Sequence, residues 1–517
     1  MEENVIVPQN DEVTVETEQV ASYEPKGLAK SLNRFFKFKE RGSTMKNEVL
    51  AGISVFLVSV CVLLMNTRII CETLGSGRAE YAGTYLAATL VSFVGTMLLG
   101  FLCNLPLVQI SSLGLSSAFI SMLGATNGLT YYNLLAVSFV AAAIYVVIMA
   151  VPVVRNFVLG MLPSPVKKAL PVGMGLYIIS YALKSCGFIT VASNGSVSLV
   201  DFSSLSALAV VAIVTGIIAV VMVIVCKKFN LAHPYFYSFL TSLLLFFMLG
   251  VLTAFNELFC VDRAYLAMGA ENIYTFGFAL TGIEWGAVFT KGFDFSAYTG
   301  NVFSLFVGGI LTFLFMGMYE SESALETVEL SDVDCTNARG KALLLNAVVN
   351  LAAPVIGSAP VSIGKQSSVA AEEGAKTGLS SIVCGIGYAL ASLTWAFFAL
   401  FATYTAKVSE YGHSTSNSFA EYAQAGFAIS VMLMFAVGLF MLRGFKNCNC
   451  SDITEFVPFV ATAVLTAFTQ NVVIGVAVGV LAYVVLKLLS FKWEEIKKIG
   501  LPTAVVSLLL LVTLIFM

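Results

Sequence analysis

Apolar runs of nearly bilayer-crossing length recur through most of the chain, and no other feature limits its fold so strongly. A hydrocarbon core of about 30 Å takes about 20 helical residues. Runs of that order lie at 49–71, 81–103, 106–123, 132–154, 166–183, 205–226 and 232–255. After a long polar connection, segments long enough to span or partly span resume at 303–325, 340–357, 365–376, 380–402, 419–441, 453–469 and 471–490. A last apolar stretch, 501–517, either crosses once more or lies in the interface. The expectation is an all-α membrane protein of about 14 transmembrane segments.

Composition agrees and removes several function classes. The 517 residues are 58% hydrophobic and 11% charged, whereas a soluble domain carries roughly 25% charge. A formal net charge of −3 offers no basic face, so no nucleic-acid partner is expected. Two histidines, His233 and His413, lie too far apart to suggest a metal centre or proton relay. Cys61, Cys103, Cys226 and Cys384 sit inside apolar runs, where cysteine acts as a small hydrophobe. Cys448 and Cys450 form a close pair with no matching second half, so zinc is not expected. No cofactor is expected. No Ser/His/Asp set or phosphate loop points to an enzyme. The acidic N-terminus lacks the basic run and short apolar core of a signal peptide.

The chain divides as follows. Residues 1–27 read as a disordered acidic tail. In 28–47, Lys30, Arg34, Lys37, Lys39, Arg41 and Lys46 interleave with Leu28, Leu32, Phe35, Phe36 and Phe38, giving a basic amphipathic segment on the inner membrane surface. Residues 48–256 form a first seven-segment unit, 257–302 an external connection, and 303–490 a second unit. Residues 491–517 are a C-terminal interfacial or additional membrane segment. With the N-terminus cytoplasmic, Arg155, Lys167, Lys168, Lys227, Lys228, Arg443, Lys446 and Lys487 all fall inside. The connection instead carries Glu257, Asp262, Glu271, Glu284 and Asp294. This obeys the positive-inside bias of a multi-pass protein in an inner or plasma membrane.

An odd number of segments per unit inverts the second copy, as in many transporters. Each copy has a short, interrupted third segment: Pro106 to Ala118 and Pro354 to Ser368. Each opens extended, at Val108-Gln-Ile and Val361-Ser-Ile, and turns small and polar at Ser116-Ser117 and Ser367-Ser368, where a half-helix begins. Irregular backbone at membrane depth is tolerated only in protein or along a cavity, and half-helix N-termini offer free N–H groups to a solute. Between the breaks, the apolar run from Asn301 ends in Tyr319-Glu320-Ser321-Glu322 without a turn signal. Glu320 then offers an acceptor or a proton-carrying group, and Gln366 a donor and acceptor for a planar, amide-like ligand. Blander readings stand beside these. Glu320 is solvated at a helix end with Glu322, Glu326 and Glu329; Lys365 neutralises Glu320 or Glu322 without touching a ligand; the Gly/Ser breaks serve helix packing.

The segments Phe35 to Gly52, Leu162 to Ile178, Glu372 to Leu379, Asp452 to Pro458 and Gly475 to Leu489 closely resemble purine permeases of the nucleobase:cation symporter-2 group, in the adenine/guanine/hypoxanthine branch. The resemblance implies two inverted seven-segment repeats, core and gate domains, elevator-type alternating access and proton-driven nucleobase uptake. Relatives are often dimers, which leaves a homodimer open as the assembly. The site positions have drifted. Where the group has two acids in its eighth segment, this chain has Gly317 and Glu320; where the tenth has Glu before Ser, it has Gln366. The third segment reads Ser111-Ser-Leu-Gly114-Leu-Ser116, and the first keeps Asn66 but has Thr67 for proline. The expected substrate-binding set is Glu320, Gln366, Lys365, Ser116, Ser117, Gly114, Ser367 and Asn66, with Glu320 the proton-coupling group. The expected partners are a nucleobase-like planar heterocycle, H+ (with Na+ open as an alternative) and the bilayer. Two alternatives stay open: a small organic anion as solute, and a receptor-like relative that does not transport.

Overall fold

The computed structural model describes residues 27–74, 78–111, 114–116, 128–160, 162–185, 189–191, 197–199, 207–259, 285–393, 432–469, 471–490, 494 and 500–516. The acidic tail, most of the third segment, residues 260–284 of the connection and 394–431 lie outside them. Helix α1 is Leu28–Phe36, α2 Met45–Leu74 and α3 Arg78–Leu98, the last running into a π turn at Leu99–Cys103. Strand β1, Gln109–Ser111, precedes α4 (Tyr131–Ala150), α5 (Pro152–Leu159) and α6 (Ser164–Ser185). Strands β2 (Ile189–Val191) and β3 (Val197–Leu199) lead to α7 (Ala207–Lys228) and α8 (Pro234–Phe259).

After the connection come the short α9 (Ala287–Thr290), α10 (Val302–Glu329), α11 (Arg339–Ile356), β4 (Val361–Ile363), α12 (Ser367–Glu372) and α13 (Gly378–Leu393). The chain closes with α14 (Ile453–Thr469), α15 (Val472–Leu489) and α16 (Leu501–Phe516). By length and composition, five helices among the described residues can cross a membrane: Gly83–Cys103, Tyr131–Ala150, Val302–Glu329, Arg339–Ile356 and Val472–Leu489.

Local chemistry sets the helix ends. Asn301 Oδ1 accepts from the backbone N–H groups of Phe303 and Ser304, at 3.0 and 3.3 Å, and so starts α10. Thr130 and Asn133 form a capping box at α4, and Asn471 caps α15. Helix α11 stops at Gly357, whose φ of 84° favours a residue without Cβ.

The helices sort into two bundles: α2, α3, α4, α10, α11 and α13 pack together, and α6 packs with α14 and α15. Within each bundle small residues bring backbones close. A Cβ on Gly378 would lie 2.0 Å from the Gly100 carbonyl, and one on Gly479 would lie 1.9 Å from Thr462 Oγ1. Close backbone approach of this kind replaces the hydrophobic drive that lipid does not supply.

The two interrupted segments meet. Strand β1 pairs antiparallel with β4, in the register Gln109↔Ile363, Ile110↔Ser362 and Ser111↔Val361. Antiparallel pairing of equivalent strands is what two oppositely oriented copies produce, and it agrees with the inverted relation expected from the segment count. The extended character expected at Val108–Ile110 and Val361–Ile363 is present, one residue later in the first case. The hairpin of β2 and β3 adds strand structure that the apolar periodicity does not announce.

Two expectations change. Phe36 and Phe38 of the basic amphipathic segment face protein, 3% and 0% exposed against Leu379 and Ile382. Phe35, at 59%, does not. Helix α16 packs on α10 and α15, with Val506 and Leu510 fully buried, and is therefore part of the helix packing.

Candidate substrate site at the strand crossing

Glu320 is wholly buried, 0% exposed, five residues beyond the middle of the α10 sequence and beside β4. The solvated-end reading therefore fails for this residue. Its Oε2 accepts from Ser362 Oγ at 3.2 Å, and its Oε1 lies 3.4 Å from Lys365 Nζ. Lys365 thus pairs with Glu320 and not with Glu322. Its ammonium also lies 5.3 Å from the centre of the Tyr177 ring on α6, in the other bundle. Gly114 seats the carboxylate, since an added Cβ would stand 2.0 Å from Glu320 Oε1.

The remaining expected residues divide by what they touch. Gln366 is 4% exposed at the N-terminal end of α12, with its Oε1 folded back toward Gly364. Asn66 donates from Nδ2 to the Ser111 carbonyl at 2.5 Å, and its buried Oδ1 has no hydrogen-bond partner among the described residues. Ser116 lies 3.4 Å from Ser111, hydroxyl to hydroxyl. Ser117 lies outside the described residues. The Ser367 hydroxyl accepts from the Val108 N–H at 3.0 Å and donates to the Gly364 carbonyl at 2.6 Å, joining the two breaks.

Behind the crossing stands a polar network that the sequence reading missed. Asn350 donates to the Val361 carbonyl at 2.5 Å and accepts from the Val361 N–H at 2.8 Å, doing for β4 what a neighbouring strand would do. Asn346 accepts from Gln109 Nε2 at 2.7 Å and donates to Ser321 Oγ at 2.9 Å. Ser321 Oγ in turn accepts from the Ile363 N–H at 3.2 Å. Two asparagines one turn apart in an apolar helix were the available signal, because such residues are costly in a membrane unless bonded. A small cavity lies one turn before Glu320, lined in part by Leu115, Tyr145, Phe313, Gly317 and Asn350. Gly317, where the resembled group carries an acid, has nothing among the described residues within 4 Å of an added Cβ.

Two ionic clusters lie away from the crossing, the first joining the two bundles and the second joining α12 to α7 and α8. Glu322 meets Arg339 and lies 3.1 Å from Lys167 of α6; Arg339 also holds Glu326 at 2.9 Å and Glu329 at 2.6 Å. At the end of α12, Glu372 meets Lys227 and accepts from the Tyr235 hydroxyl at 2.7 Å. Glu373 accepts the Tyr235 and Phe236 N–H groups at 2.9 and 3.1 Å, together with the Ser54 hydroxyl at 2.6 Å.

Long apolar helices in two bundles, with a buried charge pair where two broken segments cross, define a multi-pass membrane protein of the transporter class. The solved transmembrane domain of a cyanobacterium bicarbonate transporter, BicA, has a similar fold, with a TM-score of 0.50 and 13% identity, covering 84% of this chain and 97% of that one. No family model matches the chain. Among characterised sequences it is similar to the adenine permease AdeQ of Escherichia coli K12, 23% identical over 471 residues, 90% of this chain and 93% of the relative. It is 21% identical to the guanine/hypoxanthine permease PbuO of Bacillus subtilis over 472 residues, 91% of this chain and 98% of the relative. With the guanine/hypoxanthine permease GhxP of Escherichia coli O157:H7 it shares 24% over 489 residues, 93% and 96% of the two chains. The chain is thus similar, at 21–24% identity over about nine-tenths of its length, to adenine and guanine/hypoxanthine permeases, and it has a seven-plus-seven inverted-repeat fold.

Proposed function

We propose that this chain carries a purine nucleobase, or a similar planar heterocycle, into the cell in company with protons. The supporting observation is the Glu320 carboxylate, fully buried at the crossing of β1 and β4, in a chain similar over nine-tenths of its length to purine permeases. Glu320 is the protonatable group, Gln366 hydrogen-bonds the ring, and Gly114 leaves room for the carboxylate beside it. Asn66 and Ser116 complete the lining through their contacts at Ser111. The bundle that holds the crossing is the moving core and the bundle of α6, α14 and α15 the gate, so alternating access is of elevator type. The repeats span 48–256 and 303–490, the N-terminus is cytoplasmic in an inner or plasma membrane, and the assembly is a homodimer.

Uptake of labelled purines into proteoliposomes, with and without an inside-alkaline pH gradient, tests the reading. Glu320→Gln is expected to insert normally and lose the gradient-driven component. Undiminished uptake with an unchanged pH profile would remove Glu320 from its role, and absence of purine uptake by the unaltered chain would overturn the substrate class.

A further inference from the structure

We propose that α1 and the π turn beside it form a binding site for the headgroups of anionic phospholipids, which hold the bundle of the crossing at the membrane surface. Headgroup binding here goes beyond the transport reading and does not depend on which solute is carried.

Helix α1 is fastened to that bundle by more than apolar contact. Phe36 and Phe38 are buried against Leu379 and Ile382 of α13. Asn104, which follows the π turn with a φ of 51°, donates from Nδ2 to the Phe36 carbonyl at 2.8 Å and accepts the Gly378 N–H at 2.9 Å. Its own carbonyl accepts from the Arg41 guanidinium at 2.7 Å. One residue thus ties the end of α1 to the π turn and to the start of α13. Whatever α1 binds is bound to the whole bundle.

The side chains left outward are of two kinds. Phe35 is 59% exposed, and Phe101 and Leu102 of the π turn are each 45% exposed, with the Phe35 and Phe101 rings edge to face at 6.1 Å. Lys30 and Arg34, one turn apart, and Lys37 at the end of the helix are also exposed. Their charge is not spent within the protein. Helix α1 contains no acid. Lys37 has Glu40 at 3.7 Å, but both side chains are well exposed, so the pair is weak. Glu48, the next acid along the chain, is buried and accepts the Lys376 and Thr377 N–H groups at 2.8 and 3.1 Å. Lys341 adds a cation beside Leu102, whose carbonyl it meets at 2.6 Å.

An apolar patch bordered by unneutralised cations fits the level at which acyl chains meet phosphate groups. The basic side chains take the phosphate oxygens and the two rings lie among the chains. A free phosphate ion offers nothing to Phe35 and Phe101. A zwitterionic headgroup brings its own cation and gains little from the basic stripe.

The test follows the melting temperature of the full chain in a zwitterionic detergent as dioleoylphosphatidylglycerol, dioleoylphosphatidylcholine or inorganic phosphate is added. Only phosphatidylglycerol is expected to raise it, and high salt to shrink the rise. Each basic residue beside an anionic headgroup contributes about fivefold in affinity. A Lys30→Gln, Arg34→Gln, Lys37→Gln triple variant should therefore need on the order of a hundredfold more phosphatidylglycerol for half the shift. A charge-matched triple variant at exposed lysines elsewhere, Lys168→Gln, Lys228→Gln and Lys446→Gln, should need less than about fivefold more. Equal losses in the two variants overturn the proposal, as does equal stabilisation by phosphatidylcholine or by phosphate. If the charge variants do not fold, Phe35→Trp decides: brominated phosphatidylglycerol should quench the added fluorescence more than brominated phosphatidylcholine, and equal quenching would sink the site. Stabilisation by phosphatidylglycerol that appears only once Glu16, Glu18 and Glu24 are changed to Gln would show that the chain's own acidic tail holds the stripe, and equally overturns the proposal. None of these readouts uses purine uptake, so failure of the transport reading leaves each of them unchanged.

Discussion

Asn350 holds Val361 by both of its backbone groups, donating to the carbonyl at 2.5 Å and accepting from the N–H at 2.8 Å. A side chain of α11 thus completes the pairing of β4 on the side away from β1. Removing it strands a buried donor and a buried acceptor, each costing ~1–3 kcal/mol when unpaired. Asn350→Ala is expected to lower stability by about 2 kcal/mol or more on that basis. Thermal unfolding in detergent, with size-exclusion chromatography as readout, checks it; an unchanged melting temperature would mean that β4 does not depend on this grip.

Gly114→Ala tests how tightly the third segment seats the acid. The new Cβ would stand 2.0 Å from Glu320 Oε1, so the carboxylate must leave its place between Ser362 and Lys365. Purine uptake should fall by roughly tenfold or more, since a displacement of about 1 Å at a site can cost on the order of a hundredfold. Full uptake would show that the carboxylate position is not critical.

Gly317→Ala is expected to behave in the opposite way. Among the described residues nothing lies within 4 Å of the added methyl group, and the position is inside α10. Replacing a helix-interior glycine by alanine gains up to about 1 kcal/mol where space allows. The melting temperature should rise, and uptake should persist because no partner of Glu320 moves. A loss of stability would mean that the cavity beside Gly317 is filled in the working protein.

Arg339 and Lys167 reach the same acids but should differ in weight. Arg339, 14% exposed in its side chain, serves Glu322, Glu326 and Glu329, and its removal leaves Glu322 buried with a weaker counter-charge. Arg339→Gln should cost on the order of 3 kcal/mol, as broken buried pairs do. Lys167, 31% exposed, should cost under about 1 kcal/mol when changed to Gln. Melting curves of the two variants at low and high salt compare them directly; equal losses would contradict the assignment.

Much of this architecture was legible before any coordinates. Segment lengths follow from one-dimensional hydropathy, because the bilayer imposes the same thickness on every crossing. The paired breaks at Val108–Ile110 and Val361–Ile363 were legible because irregular backbone in an apolar run demands a protein partner. Glu320 stood out because an acid at the end of an apolar run with no turn signal is rare without a use. Less accessible was the task of each polar residue. Ser367 looked like ligand-facing material, yet its hydroxyl accepts from Val108, 259 positions earlier in the chain. Asn346 and Asn350 drew no attention, because their partners Gln109, Ser321 and Val361 are brought together only by folding.

The sequence by itself determined a helical membrane protein, the place where its two copies break, and the acid near that place. Hydropathy, segment parity and local backbone chemistry act over short stretches and need no tertiary information. Only the tertiary structure decided that Lys365 joins Glu320 while Glu322 goes to Arg339 and Lys167. It also decided that Gly114 seats the carboxylate and that Tyr177 from the other bundle faces the ammonium. Each of these choices depends on distances of a few ångströms between residues far apart in the chain, and inside a bilayer those distances settle which charges can exist as pairs.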